Sequence, residues 1–211
     1  MSSTYPSSIY IVGAQSTGKT TLVKALQNYF YGDQQQPSST LTAVPQVITE
    51  VARTVLVEYG YTAHDITSSP SRALSLQKLI LKAQVDAERA GLRLGTWIIS
   101  DRSGVDPVVY AQKYVNEDAA RDLAFSPEAL ELSERMKSSL VFVCEAGVDW
   151  LIDDGVRLMP GSFEEWIETH ELFCHWLEEL GLKYEVITRN LLDTNKRVEF
   201  VLEKWKSYQA K

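Results

Sequence analysis

Ser8-Ile9-Tyr10-Ile11-Val12-Gly13-Ala14-Gln15-Ser16-Thr17-Gly18-Lys19-Thr20-Thr21 decides the reading of this chain. Ser8 to Val12 is an apolar run that suits a buried strand, and it ends at Gly13. Gly13 to Thr20 fits G-x-x-x-x-G-K-[ST] in full, and a helical pattern runs from Lys19 to Phe30. The glycines allow backbone angles that turn successive amides inward, which makes a nest for an anion. The helix that follows adds its positive end. Lys19 supplies a mobile charge for the outer phosphates, and Thr20 offers its hydroxyl to Mg²⁺. The expected nucleotide-binding set is Gly13, Ala14, Gln15, Ser16, Thr17, Gly18, Lys19, Thr20 and Thr21.

Outward from this loop, short apolar runs alternate with longer amphipathic ones. Val44 to Thr49, Trp97 to Ser100, Leu140 to Cys144 and Tyr184 to Thr188 read as four more strands. Glu50 to Tyr59 follows the second strand as a helix. Arg72 to Ala90 has apolar residues at helical spacing, with Gly91 expected to stop it. Ser69-Pro70 and Ser126-Pro127 are helix starts. Ser162 with Glu165 predicts a capping box for a helix reaching Gly181, and Asp193 or Thr194 caps a last helix reaching about Tyr208. Gly32 to Thr42 and Tyr61 to Ser71 read as surface loops. Strands alternating with helices imply one α/β domain over residues 1–211, a five-stranded parallel sheet with helices on both faces.

Ligands of open parallel sheets collect at the carboxyl ends of strands. Glu50 stands after the second strand and Asp101 after the third. Asp101 can share Mg²⁺ with Thr20 or act as a base. Glu50 can act as a base or clamp a substrate hydroxyl, and the two carboxylates are rivals for that role. Arg102 and Arg53 can meet phosphate or an anionic substrate bidentately. Gln84, Tyr110 and Gln112 are candidates for an acceptor pocket, and Arg189 with Asn190 after the last strand for holding the adenine. Residues 150–162 read as a lid, with Arg157 placed to close over phosphates.

Of the 211 residues, 45% are hydrophobic and 23% charged, which excludes disordered and fibrous classes. The net charge of -7 argues against a general nucleic-acid binder, which needs clustered Lys and Arg. The start is polar, no apolar run is long enough to span a bilayer, and a cytoplasmic protein is expected. Cys144 and Cys174 have no metal-ligand spacing and read as buried thiols. His170 and His175 do not share a helical face cleanly, so no zinc site is expected. Trp166 and Trp176 read as core.

The chain resembles the NadR-type P-loop kinase-like domain, also described as an AAA-like ATPase domain. The resemblance covers nearly the whole chain. It rests on GAQSTGKT at 13–20, on Glu50-x-x-Arg53, on Ser100-Asp101-Arg102-Ser103, on Asp154-Gly155-x-Arg157, and on the final GLKYEVIT strand with its closing helix. Asp101-Arg102-Ser103 is also similar to the corresponding segments of deoxynucleoside and thymidylate kinases. The resemblance implies a three-layer P-loop NTPase fold and a small-molecule kinase architecture. It implies that the Arg approaches phosphates and that the acid serves metal or base.

The resulting expectation is an ATP- and Mg²⁺-dependent phosphotransferase for a small, nucleoside-like hydroxyl acceptor. Its expected catalytic set is Lys19, Asp101, Glu50, Arg102 and Arg157. Glu50, Arg53, Arg102 and Gln84 are expected at the acceptor, and Thr20 and Asp101 at the metal. The alternative is a nucleotide-dependent binding module, with GTP as a possible ligand. For that module Asn195-Lys196-Arg197 begins a guanine-selecting signature but puts Val198 where Asp belongs.

Overall fold

The computed structural model describes residues 7–33, 44–94, 97–148 and 161–209. Five strands form one sheet: β1 (Ile9–Val12), β2 (Gln46–Ile48), β3 (Ile98–Asp101), β4 (Leu140–Cys144) and β5 (Glu185–Ile187), in the order β2-β3-β1-β4-β5. All four neighbouring pairs are parallel. The central strands β1, β3 and β4 are buried at every residue, as expected of continuous apolar runs covered on both faces.

Nine helices are described: α1 (Lys19–Asp33), α2 (Val51–Glu58), α3 (Ala63–Ser68), α4 (Pro70–Leu94), α5 (Val105–Tyr114), α6 (Glu117–Ala124), α7 (Pro127–Lys137), α8 (Phe163–Glu179) and α9 (Thr194–Gln209). Two core clusters lie on the two faces of the sheet. In one, Tyr10, Val12, Ile98, Val141 and Val143 meet α4, α5, α7 and α8. In the other, Ile9, Ile11, Ile99 and Phe142 meet α1 and α9. Alternate residues of a strand point to opposite faces, so the two clusters use interleaved positions. Phe30, Trp97 and Trp205 close the second cluster, with Trp97 and Trp205 stacked at 5.3 Å. Among the described residues no helix is long and apolar enough to cross a membrane.

The structure corrects several boundaries. Gly91 does not end α4; the helix runs on to Leu94. Gly91 faces the sheet, where an added Cβ would lie 3.3 Å from the Ile98 side chain, so the glycine serves close packing. The stretch from Tyr61 to Ser71 is not all loop. Thr62 and Asp65 form a reciprocal capping box that starts α3. The helix start at Ser69-Pro70 stands, with Ser69 Oγ accepting from the Arg72 amide. Ser162 accepts from the Glu165 amide, but the Glu165 carboxylate turns to the Gly161 amide and to Lys113, so that box is half formed. The Asp193 carboxylate accepts from the Lys196 amide and caps α9. The lid segment, apart from Gly161 and Ser162, and with it Arg157, lies outside the described residues.

Candidate active site

The strand–loop–helix unit read from the sequence forms as a loop between β1 and α1 at the centre of the sheet. Gly13 has φ 128° and Gly18 φ 86°, a region that L side chains rarely enter, and Ser16 joins them at φ 60°. A Cβ on Gly13 would lie 2.6 Å from the Cys144 carbonyl oxygen, so the first glycine is also required by contact with β4. The Thr17 hydroxyl donates to the Ala14 carbonyl at 3.0 Å. Lys19 folds across the loop, and its Nζ donates to the Ala14 carbonyl at 2.5 Å. Burial, and then Arg102, lower the Lys19 pKa to about 8, against the opposing pull of Asp101 and Asp106.

The parallel register sets Asp101 of β3 beside Ile11 of β1. Asp101 is buried, and its Oδ2 accepts from the Thr20 hydroxyl at 2.6 Å. Its Oδ1 is buried without a hydrogen-bond partner. An orphaned carboxylate oxygen beside a hydroxyl is the hard-oxygen donor set Mg²⁺ takes, so these residues fit that ion. Among the described residues no cluster of three or more His, Cys, Asp and Glu could hold a metal.

One residue further on, Arg102 has φ 86° and its amide donates to the Ile11 carbonyl. This unusual backbone angle turns its side chain into a network. Nε and Nη2 donate to Glu50 Oε1 at 2.8 and 2.7 Å, and Nη1 donates to Asp106 Oδ1 at 3.0 Å. Arg53 Nε donates to the other Glu50 oxygen at 2.9 Å. Burial alone would raise the Glu50 pKa, but Arg102 and Arg53 outweigh it and bring it to about 2. Asp106 Oδ2 accepts from the Ser103 amide and hydroxyl. Burial raises the Asp106 pKa against the pull of Arg102 and Lys19.

This network lines an open cleft with about 800 Å³ of empty space, the open solvent at its mouth included. Its polar end holds Gln15, Glu50, Arg102, Asp106, Gln77 and Gln84; its walls include Leu56, Ile66, Leu76, Ile80 and Tyr114. Tyr110 lines it too, donating its hydroxyl to Gln15 Oε1 at 3.0 Å. A second pocket is lined by Gly18, Thr21, Leu22, Leu192, Thr194 and Arg197.

The structure thus brings Lys19, Thr20, Asp101, Glu50, Arg102, Arg53 and Gln84 to one end of the sheet. It does not bring Gln112, whose Oε1 accepts from the Trp176 indole, or Arg189, which turns to Glu145 and is not in the lining of either pocket. Trp166 packs beneath the loop and donates to the Gln15 carbonyl. Cys144 is buried under the loop, and burial raises its thiol pKa to about 11. Cys174 is only partly buried, 3.8 Å from His170.

Sequence reasoning missed Asp106, which stands in the first turn of α5, four residues after Arg102; Arg102 lies before the helix at φ 86°, so helical spacing does not mark the pair. It also missed Arg197. From α9 this residue donates Nη1 to the Thr17 carbonyl at 2.8 Å and Nε to the Leu191 carbonyl at 2.6 Å. No local signal marks a contact spanning 180 residues.

A family model described as AAA domain, AAA_28, matches residues 8–193, and the chain belongs to this family. The structure is similar to NadR protein in complex with NR, at 19% identity and a TM-score of 0.66, covering 94% of this chain and 50% of that one. It is similar to deoxyadenosine kinase from M. mycoides with products dCMP and dCDP bound, at 14% identity and a TM-score of 0.65, covering 95% and 98%. It is also similar to YorR protein from Bacillus subtilis in complex with phosphorylated GDP, at 11% identity and a TM-score of 0.52, covering 96% and 98%. At these identities the likeness is one of fold, a P-loop kinase-like α/β architecture. The chain spans about half the length of the NadR structures it matches. No curated protein matches significantly.

Proposed function

We propose that the protein is an ATP- and Mg²⁺-dependent phosphotransferase whose acceptor is a small, nucleoside-like hydroxyl compound, working as one P-loop kinase-like domain. The observation that carries this reading is the cleft beside the phosphate loop: apolar walls, a charged floor and Gln15 shared with the loop. A protein that only bound nucleotide would have no use for a second cleft sharing Gln15 with the phosphate loop. Relatives in fold support the same class, since deoxyadenosine kinase and NadR are solved with nucleotides or NR bound.

Phosphoryl transfer asks for positioning and charge stabilisation rather than covalent chemistry. The loop amides and Lys19 hold the β- and γ-phosphates, and Lys19 leaves the Ala14 carbonyl to do so. Thr20 and Asp101 would hold Mg²⁺, which when bound neutralises the outer phosphate oxygens. Glu50 lines the cleft and Asp101 does not. Glu50 therefore holds the acceptor hydroxyl and receives its proton. A carboxylate with a pKa near 2 is a weak base, so that proton moves late, as suits a loose transition state. Arg102 keeps Glu50 in place and faces the transferred charge. The donor base lies in the pocket of Thr21, Leu22, Leu192, Thr194 and Arg197.

The test is γ-labelled ATP with Mg²⁺ and a panel of nucleosides. Label is expected on a nucleoside 5′-hydroxyl. Tight ATP binding with no label on any nucleoside would sink the kinase reading and favour the binding module.

A further inference from the structure

A loop can turn its amides toward an anion only if its carbonyls go the other way. A trans peptide is planar, so the carbonyl of one residue and the N–H of the next point in opposite directions. Each carbonyl turned outward and buried then needs a donor behind it. For Ala14 the donors are Thr17 and Lys19 of the loop's own sequence, and for Gly18 the donor is the Leu22 amide. For Gln15 and Thr17 they come from distant parts of the chain. Trp166 on α8 donates its indole N–H to the Gln15 carbonyl at 2.8 Å, and Arg197 on α9 donates Nη1 to the Thr17 carbonyl at 2.8 Å. Both residues are 2% exposed. Both are also held from a second side: Trp166 packs with Ala14, Ala146 and Val148, and Arg197 Nε donates to the Leu191 carbonyl at 2.6 Å. Between the two pinned carbonyls stands Ser16 at φ 60°, a conformation a serine keeps when its surroundings impose it.

We infer that Trp166 and Arg197 are positioning residues for phosphate binding: from behind the loop they fix two carbonyls outward, and so present the Ser16 and Gly18 amides to the phosphate chain. Trp166 acts through the peptide between Gln15 and Ser16, and Arg197 through the peptide between Thr17 and Gly18. Without its donor each peptide is free to rotate. A loop that holds the competent shape for only a fraction of the time binds more weakly by that fraction. The inference rests on the loop taking polyphosphate, which the kinase and the binding-module readings share, and not on phosphoryl transfer.

The experiment uses inorganic tripolyphosphate, which carries no base or ribose, with ATP beside it. Trp166→Phe keeps an aromatic ring beneath the loop and removes the donor. Its dissociation constant for tripolyphosphate, by calorimetry, is expected to rise about tenfold. Trp176→Phe is the matched control. It takes the same atoms from the same helix, but that indole donates to Gln112, which lines neither pocket. It should lose comparable stability and keep wild-type affinity. No change in Trp166→Phe, or an equal change in both variants, would overturn the inference.

The ¹⁵N spectrum separates positioning from a general loosening or a loss of charge. In wild type, tripolyphosphate should shift the Ser16 and Gly18 amide protons downfield. Trp166→Phe should blunt mainly the Ser16 shift, and Arg197→Met mainly the Gly18 shift. Both shifts blunted alike in each variant would overturn the inference. The Trp166 indole proton of wild type should also resist exchange with solvent. Fast exchange there would overturn the inference even if neither variant folds. Wild-type protein that binds neither ATP nor tripolyphosphate would sink nucleotide binding, and this inference with it. The expected shifts without phosphorylation of any nucleoside would sink the kinase reading alone.

Discussion

The phosphate loop and the cleft proposed to take the acceptor meet at Gln15, yet they are built by opposite means. The loop is one contiguous stretch from Gly13 to Thr20, and its shape is backbone: positive φ at Gly13, Ser16 and Gly18, with the α1 terminus behind it. The cleft is side chains drawn from α2, α4, α5 and the loop itself, held by the Glu50–Arg102–Asp106 ion network. Polyphosphate is the same in every donor nucleotide, so a backbone cradle suffices. An acceptor varies, and side chains can vary with it while the sheet stays fixed.

The sharpest break in this comparison is Lys19→Ala. It should lower kcat/KM for ATP by on the order of 100- to 1,000-fold or more, with acceptor affinity little changed. The melting temperature should hold within a few degrees, since a buried ammonium whose pKa is already lowered contributes little to folding. Turnover assays and thermal melts check both. An equal loss of acceptor binding would show that the two regions are not separable.

Glu50→Gln attacks the other side. It should cut turnover about 100-fold or more while the ATP dissociation constant, by calorimetry, moves less than about threefold. Its acid stability should change as well. The folded pKa of Glu50 lies below its unfolded value, so the unfolded state binds the extra proton between about pH 4.5 and about pH 2. That stabilisation is full above pH 4.5 and lost as pH falls through the window. In urea titrations the variant should lose less stability than wild type over this range.

Gly13→Ala tests how far the loop depends on backbone. The Cβ would meet the Cys144 carbonyl at 2.6 Å on a positive-φ residue. A loss of roughly 2–4 kcal/mol of stability is expected from chemical denaturation. Wild-type stability in this variant would mean that the loop can move away from β4.

The smallest effect is in protons. Free Lys19, with a pKa near 8, is partly neutral at pH 8–9, and phosphate charge favours its protonated form. ATP binding should therefore take up a fraction of a proton there and almost none at pH 6.5. Calorimetry in buffers of different ionisation enthalpy reads this directly. Uptake that persists in Lys19→Ala would assign the proton to another group.

Chain order alone carried the loop, the five strands and the acids at their ends, because each is a local pattern. An apolar run, a glycine spacing or a serine before proline means the same wherever it stands. Gly91 and the Tyr61–Ser71 stretch misled because a glycine can end a helix or let it lie close to a sheet, and only the neighbour decides. The site divides the same way. Lys19, Thr20, Glu50, Asp101 and Arg102 stood out from motif and strand ends, whereas Asp106 pairs with Arg102 through the positive-φ turn between β3 and α5, which no sequence spacing marks. Which carboxylate faces the cleft, and that Trp166 and Arg197 reach the phosphate loop, were decided by tertiary structure. Those contacts join residues of different elements, and their energy depends on burial and direction, which no one segment of chain contains.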